Sequence, residues 1–102
     1  MTRLVEFFIR RVIVEGESMT PRYSPGERLT AIRRWRAVRA GDVVVLRDPR
    51  GEDRWILKRC VEVTGRRLVL RGDNVDASTD SRHFGPVEAR SVTYLLVARD
   101  RR

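Results

Sequence analysis

Short runs of strand-forming residues, separated by turn sequences, are the feature that most restricts the fold of this chain. The runs are Phe7 to Val14, Leu29 to Ile32, Val43 to Leu46, Trp55 to Val63, Leu68 to Leu70 and Val92 to Ala98. Turns rich in Gly, Pro and Asp separate them, at Ser24-Pro25-Gly26, Asp48-Pro49-Arg50-Gly51 and Thr64-Gly65-Arg66. Six or seven short strands with regular turns predict an all-β barrel or sandwich.

Four further features of the sequence refine this prediction. The first run contains a possible break at Arg10-Arg11, and the runs on either side of Thr64 form a predicted hairpin. A weak helical period covers Arg33 to Ala40. The polar stretch Gly72 to Arg90 is too long for a simple turn, and long loops in compact domains are often functional. We expect one domain over residues 1–102, with residues 1–6 and 99–102 frayed.

The composition excludes several classes of protein. Hydrophobic residues make up 41% and charged residues 35% of the 102 positions, a balance that is too apolar for a disordered chain. Charged residues interrupt the N-terminal apolar stretch, so we expect neither a membrane anchor nor a secretory leader, and we expect a cytoplasmic protein. The single cysteine, Cys60, and the single histidine, His83, cannot form a cysteine-cluster or polyhistidine metal site, and we expect no metal or cofactor.

The net charge of +8 favours an anionic partner, such as nucleic acid, an acidic membrane surface or an acidic peptide. The basic residues around Trp35 could form such a patch, or they could be a solvated arginine-rich face around one packed tryptophan. They are Arg33, Arg34, Arg36 and Arg39.

One residue departs from the arginine bias of the chain. Of the 22 basic residues, 21 are arginine and only Lys58 is lysine. An arginine guanidinium stays protonated in proteins, whereas burial can lower the pKa of a lysine from about 10.4 by up to about 3–5 units. Lys58 follows Trp55, Ile56 and Leu57 in a predicted strand, so it could be a buried general base. The alternative is a lysine at a strand edge with its tip in water.

Ser18 is the candidate nucleophile. It lies in the segment Glu15 to Pro21, where Gly16 permits a sharp turn, Met19 follows the serine and Pro21 stiffens the exit. The base that activates Ser18 would be either His83, in a Ser–His–Asp triad, or Lys58, in a Ser–Lys pair. The residues alone leave both possibilities open.

Four segments together resemble the signal peptidase I family of serine proteases. These are Gly16 to Pro21, Gly41-Asp42-Val43-Val44-Val45-Leu46, Lys58-Arg59, and Gly72-Asp73-Asn74 with Ser78 and Asp80-Ser81-Arg82. The similarity covers roughly residues 12 to 98 and implies a small signal-peptidase-like β-barrel, a fold that self-cleaving repressors share. It implies that Ser18 is the nucleophile and Lys58 the general base.

The resemblance also implies roles for the supporting residues. The hydroxyl of Ser78 would position the lysine, and Asp80 and Arg82 would form an ion pair that braces the site. The backbone N–H of Ser18 would serve the oxyanion hole, to which some members add a serine hydroxyl at the position of Gly16.

The short, unanchored sequence is most similar to the branch of the family that matures nickel-type superoxide dismutase. That branch implies a proprotein substrate, the nickel superoxide dismutase precursor, from which a propeptide is removed. Three alternatives stay open: an unanchored leader peptidase, a self-cleaving repressor-like domain, and a basic nucleic-acid-binding β-barrel. No stable nucleic-acid partner is expected, although peripheral contact with an anionic membrane would suit the charge.

Overall fold

The computed structural model describes residues 8–51 and 53–99. Seven strands form one open antiparallel sheet with the order β1-β2-β7-β3-β4-β5-β6. Their bounds are β1 Ile9–Ile13, β2 Arg28–Arg33, β3 Val43–Arg47, β4 Trp55–Thr64, β5 Arg67–Arg71, β6 Val87–Glu88 and β7 Val92–Arg99. The all-β prediction is therefore confirmed.

All six predicted runs contain strands, and the differences lie at their ends and interruptions. β1 runs unbroken through Arg10 and Arg11, because the whole strand pairs with β2 from Ile9↔Ile32 to Ile13↔Arg28. The predicted break is therefore wrong. Residues Arg34 to Ala40 form no helix, so the weak helical period there was also misleading.

Of the two ends that were expected to fray, residues 1–6 and 100–102 lie outside the described part of the chain. Arg99 is described, and it closes β7. Its guanidinium lies 2.8 Å from the Glu27 carboxylate and 4.6 Å from the centre of the Tyr23 ring. These contacts attach Arg99 to the sheet.

The long polar stretch after β5 is built of short elements. It contains a 3₁₀ turn at Val75–Ala77, the four-residue helix α1 at Ser81–Phe84, strand β6 and a second 3₁₀ turn at Ala89–Ser91. Asp80 caps α1, because its carboxylate accepts a hydrogen bond from the backbone N–H of Arg82. The stretch returns to the sheet where β6 pairs with β5.

The core lies on both faces of the central strand. Val43, Val44, Val45 and Leu46 are all buried, which is typical of a strand formed by a continuous apolar run. Their side chains alternate between a large cluster that contains Leu46, Cys60 and Leu95, and smaller clusters around Met19 and Tyr94. Cys60 is a fully buried apolar residue in this core.

Strand β4 changes partners along its length, which leaves part of one edge open. Trp55 to Arg59 pair with β3, whereas the second neighbour, β5, pairs only from Arg59 onward. Within the described part of the chain, Trp55 to Lys58 therefore have no strand on the side opposite β3. Across the same ranges, no helix is long and apolar enough to span a membrane.

Candidate active site

Ser18 and Lys58 line the same cleft. Its walls are β1, the segment that follows it to Met19, the first half of β4 and the loop residues Ala77 and Thr79, and its volume is about 930 Å³. Lys58 lies on β4 beside the open edge described above, and Ser18 lies in the turn between β1 and β2. Two segments that are 40 positions apart in the sequence are thus brought to one opening.

The Lys58 side chain is buried and sits in an environment that disfavours its charged form. Its residue is only 5% exposed, so the alternative of a strand-edge lysine with its tip in water is wrong. Burial lowers the pKa of the Lys58 amine, and the positive charges of Arg54 and Arg50 lower it further, against the opposing effect of Asp80. A lowered pKa increases the fraction of neutral amine at a given pH, as a general base requires.

Ser78 and Asp80 hold the Lys58 amine from the other side. Lys58 Nζ donates a 2.9 Å hydrogen bond to Ser78 Oγ, and this hydroxyl donates one of 3.1 Å to Asp80 Oδ2. Both Ser78 and Asp80 are buried. The chain of hydrogen bonds fixes the position of the nitrogen within the cleft.

Arg82 holds Asp80, the last residue in this series of hydrogen bonds. Its Nε lies 2.9 Å from Asp80 Oδ1, and the backbone N–H of Gly72 donates to Asp80 Oδ2 at 3.0 Å. Burial alone would raise the pKa of the Asp80 carboxyl, but the hydrogen bonds from Arg82, Gly72 and Ser78 together lower it below its ordinary value. Asp80 is therefore a carboxylate across the neutral range, and the predicted Asp80–Arg82 ion pair is present.

The turn that carries Ser18 is fixed by its own neighbours. Met19 is 1% exposed and packs in a core cluster with Val14 and Tyr23, and its carbonyl accepts a hydrogen bond from the Tyr23 backbone. The serine itself is half-buried, between this anchor and the open cleft. Pro21 follows a cis peptide bond at the exit of the turn.

Gly16 adopts φ +73°, a backbone conformation that side chains other than glycine rarely accept. This conformation accounts for glycine at the position where some members of the resembled family have a serine. A serine there would have to adopt a strained backbone before its hydroxyl could contribute to an oxyanion hole.

The polar loop after β5 contacts the Ser18 turn directly. The backbone N–H of Asn74 donates to the Ser18 carbonyl at 2.8 Å, and the Asn74 side chain donates to Thr20 Oγ1 at 2.9 Å. Thr20 Oγ1 in turn donates to the Glu17 carbonyl. Asn74 thereby joins the segment of the nucleophile candidate to the segment that contains Ser78.

Gly72 lies where these two segments approach each other most closely. A Cβ added at this position would lie 2.5 Å from Ser78 Cβ and 2.6 Å from the Ser18 carbonyl oxygen, and closer still to Ser78 Oγ. No residue with a side chain fits there without displacing one of them. The φ of Gly72 is not in the left-handed region, so its backbone conformation does not require glycine. The lack of space for a side chain does.

No hydrogen bond joins Ser18 Oγ and Lys58 Nζ among the described residues; the amine is bonded to Ser78 instead. Catalytic hydrogen bonds of unliganded enzymes often tighten only when substrate binds. The structure thus places the two side chains in one cleft, and the proton transfer between them stays a prediction.

His83, the other candidate base, lies elsewhere. Its Nδ1 accepts a 3.3 Å hydrogen bond from the Asp80 backbone and completes the capping box of α1, and its side chain is half-exposed. It does not line the cleft that contains Ser18. The geometry therefore favours Lys58 over His83.

Sequence reasoning missed two supporting groups. The bridging role of Asn74 could have been suspected from its place in the Gly72-Asp73-Asn74 segment. The buried Asp48 carboxylate binds Arg50 and Arg54, and this cluster places the Arg54 charge beside Lys58. The Asp48-Pro49-Arg50-Gly51 turn gave no sign of it, because a turn aspartate is common without any link to a site.

The arginine-rich segment does not surround a packed tryptophan. Trp35 is 57% exposed, and the Arg36 guanidinium lies 5.3 Å from its ring centre. Arg36 also forms two hydrogen bonds to the Asp42 carboxylate, and Arg34 Nε donates to the Val92 carbonyl. Of the four arginines around Trp35, Arg36 is the one whose charge is paired with a carboxylate among the described residues.

Comparison with known proteins shows the family of the chain. Residues 1–71, which include Ser18 and Lys58, match the family described as signal peptidase, peptidase S26. The chain belongs to this family. It is also 34% identical, over 79% of its length, to the mitochondrial ATP-independent inner membrane protease subunit 1a of Arabidopsis thaliana. The match spans 64% of that relative's own length.

No group of three or more His, Cys, Asp or Glu side chains that could hold a metal ion occurs in residues 8–51 and 53–99. The cleft contains the hydroxyl of Ser18 and the buried amine of Lys58, with a chain of hydrogen bonds behind that amine. This set fits acyl transfer through a serine nucleophile.

Proposed function

We propose that this protein is a serine endopeptidase in which Ser18 is the nucleophile and Lys58 the general base. The observation that carries the proposal is the burial of the single lysine, with a lowered pKa, in the cleft that Ser18 also lines. Membership of the peptidase S26 family supports the same reaction class. Burying an amine lowers the stability of a small fold, and a catalytic role accounts for the presence of this buried amine beside Ser78 and Asp80.

In the proposed mechanism, neutral Lys58 accepts the Ser18 hydroxyl proton as the serine oxygen attacks the scissile carbonyl. The resulting ammonium then donates a proton to the leaving amine, and an acyl-enzyme forms on Ser18. Water, activated by the neutral amine, releases the acyl group and restores the serine. The backbone N–H of Ser18 would stabilise the oxyanion, and Gly16 offers no side-chain donor to help.

The substrate would dock as an added strand. The edge of β4 from Trp55 to Lys58 carries backbone groups that no described strand engages, and it leads directly to the general base. A peptide paired with this edge would pass between β4 and the Ser18 turn, with its scissile bond beside both side chains.

A narrower proposal names the substrate. On the resemblance of the motifs, the protein removes the propeptide of a nickel-type superoxide dismutase precursor in the cytoplasm. The alternative is a leader peptidase, favoured by the similarity to the inner membrane protease subunit. Incubation of the purified protein with the dismutase precursor, followed by mass spectrometry of the new N-terminus, distinguishes the two. If the protein cleaves a leader-containing preprotein and leaves the dismutase precursor uncleaved under the same conditions, the dismutase role is rejected.

The activity itself is tested with a peptide library made from a digested proteome, with cleavage products identified by mass spectrometry. Wild-type protein should cut at a defined set of sites, and Ser18→Ala and Lys58→Arg should cut none of them. Lys58→Met serves as a second lysine variant if arginine does not fit, and circular dichroism checks each fold. Arg66→Gln, at an exposed turn outside the cleft, is the matched charge control. Wild-type levels of cleavage by Lys58→Arg would reject the mechanism.

The nucleic-acid alternative predicts a different outcome. A basic β-barrel of that class would shift RNA or DNA in a gel with strong salt dependence, and Ser18→Ala would not change the shift. Such a shift, together with no cleavage by the wild-type protein, would favour binding over catalysis.

A further inference from the structure

Beyond Ser18 and Lys58, the cleft is lined by several arginines. Four arginines and Lys58 line it, against only two glutamates, Glu15 and Glu17. The four arginines are Arg10, Arg11, Arg47 and Arg54. Which of these arginines could bind an anionic side chain of a peptide depends on the partners that each one already has.

Two of these arginines already have carboxylate partners. Arg47 pairs with Asp53 and stacks 4.5 Å above the Trp55 ring, and Arg54 pairs with buried Asp48. These two groups are therefore committed to the wall of the cleft and shape it. They are not the best candidates to bind a ligand.

Arg10 is different. It lies on the same face of β1 as Val12, so its side chain points toward the cluster of Ala31, Val45 and Tyr94. Its Nε donates a 3.0 Å hydrogen bond to the Tyr94 hydroxyl, and no ion pair with any described carboxylate is formed. The rest of the guanidinium fork remains available to a ligand in the cleft.

Tyr94 provides a second donor at the same place. The residue is only 6% exposed, and its hydroxyl oxygen accepts from Arg10, whereas its own hydrogen has no acceptor among residues 8–51 and 53–99. Trp55 packs edge-on against the ring at 5.9 Å and fixes its position. A guanidinium and a phenolic O–H thus converge on one wall, a donor set that suits a carboxylate.

The position of this wall relates it to the proposed reaction. Trp55 lies three residues before Lys58 on β4, which places it about 10 Å from the general base along the strand. A peptide docked on this edge would bring a side chain about three residues from its scissile bond to the Arg10–Tyr94 pair.

We infer that Arg10 and Tyr94 form a specificity subsite for an acidic side chain, Asp or Glu, about three residues from the scissile bond. The position of this subsite relative to the scissile bond rests on the proposed peptidase function. The preference of the Arg10–Tyr94 pair for a carboxylate can be measured without cleavage. The substrate class is therefore a peptide with an acidic residue near its cleavage site.

The cleavage test begins with the proteome-derived library, whose cut sites should be enriched in Asp or Glu at that distance. One well-cut peptide is then compared with its Glu→Gln counterpart. For the wild-type protein, kcat/KM should favour the glutamate peptide about tenfold or more, the size of one charge-assisted hydrogen bond. Arg10→Gln should bring the ratio close to one, Arg10→Lys should keep part of it, and Tyr94→Phe should reduce it. Arg66→Gln should leave it unchanged.

The binding test uses Ser18→Ala/Trp35→Phe protein, in which Trp55 is the only tryptophan. Its fluorescence is titrated with acetylated and amidated Ala-Ala-Glu-Ala-Ala and Ala-Ala-Gln-Ala-Ala. The glutamate peptide should bind at least about fivefold more tightly, and added Arg10→Gln should remove the difference. The difference should shrink at high salt, because the cleft is open to solvent.

Equal or undetectable binding of the two peptides would overturn the inference, even if the protein cleaves other substrates. A clear preference for glutamate in binding, with no cleavage by the wild-type protein, would keep the subsite and reject the peptidase. An unchanged preference in Arg10→Gln would show that the charge of the cleft as a whole, and not this pair, selects the acid.

Discussion

Replacing Gly72 with alanine should damage stability and activity together, because this residue lies between Ser18, the proposed nucleophile, and Ser78, which is hydrogen-bonded to Lys58. The added Cβ would overlap Ser78 Oγ and lie 2.5 Å from Ser78 Cβ and 2.6 Å from the Ser18 carbonyl oxygen. The carbonyl is held by the Asn74 backbone, and Ser78 is held by Lys58 and Asp80. Neither neighbour can move without breaking a hydrogen bond.

The size of the effect follows from these contacts. Overpacking of a rigid site costs about 1–3 kcal/mol, and one displaced hydrogen bond adds about 1 kcal/mol. We expect Gly72→Ala to lower the free energy of unfolding by about 3 kcal/mol in urea denaturation followed by circular dichroism. A displacement of about 1 Å in the catalytic groups should lower kcat by about 100-fold.

Two further variants separate steric overlap from general damage. Gly65→Ala places a Cβ in open space at a turn, so it should cost about 1–2 kcal/mol for its positive φ and leave kcat unchanged. Gly72→Ala/Ser78→Gly removes both contacts with Ser78, so it should regain part of the stability but no activity, since Lys58 loses its partner. Wild-type stability and kcat in Gly72→Ala would refute the close approach on which this reasoning depends.

Three other changes test the lysine and its brace. Lys58→Met should abolish cleavage yet raise the free energy of unfolding at neutral pH. Because folding lowers the pKa of Lys58, the wild-type protein gains stability as pH rises toward about 10.4, so the advantage of Lys58→Met in urea denaturation should disappear there. Ser78→Ala should lower kcat by about 10- to 100-fold in steady-state assays while changing stability by about 1 kcal/mol, and an unchanged kcat would contradict its positioning role. Asp80→Asn should cost about 3–5 kcal/mol, since it leaves Arg82 without its partner. Because folding lowers the pKa of Asp80, the ionised carboxylate stabilises the fold at pH values above the ordinary pKa of 3.8, and this stabilisation is lost as the pH falls below it. An acid transition of Asp80→Asn like that of the wild-type protein would refute the lowered pKa of Asp80.

The strand pattern could be predicted from the sequence because apolar runs and turns are local signals. β3 was visible as four consecutive apolar residues, and the hairpin of β4 and β5 as two runs around Gly65. The break expected at Arg10-Arg11 failed because strand pairing with β2 outweighs the local effect of two charges. The same charges could not reveal that Arg10 donates a hydrogen bond to the Tyr94 hydroxyl.

The site was only partly predictable. Lys58 stood out because it is the single lysine, and Ser18 because of its surrounding segment, so both could be named as candidates. What brings them into one cleft is non-local: β4 pairs with β3, and Asn74 reaches back to Ser18 across 56 positions. The burial that lowers the pKa of Lys58 also depends on this packing, and no pattern within one segment contains it.

The proposed mechanism requires a lysine that gives up its proton more readily than a solvated one, and the composition of the chain makes this property measurable. Since Lys58 is the only lysine, protein labelled with ¹³C-lysine gives a single Cε resonance that can be followed by NMR across a pH titration. We predict a midpoint below the ordinary value of about 10.4, and a midpoint closer to that value in Ser18→Ala/Gly72→Ala protein, where the site is displaced. A wild-type midpoint at or above 10.4 would contradict the proposed general base.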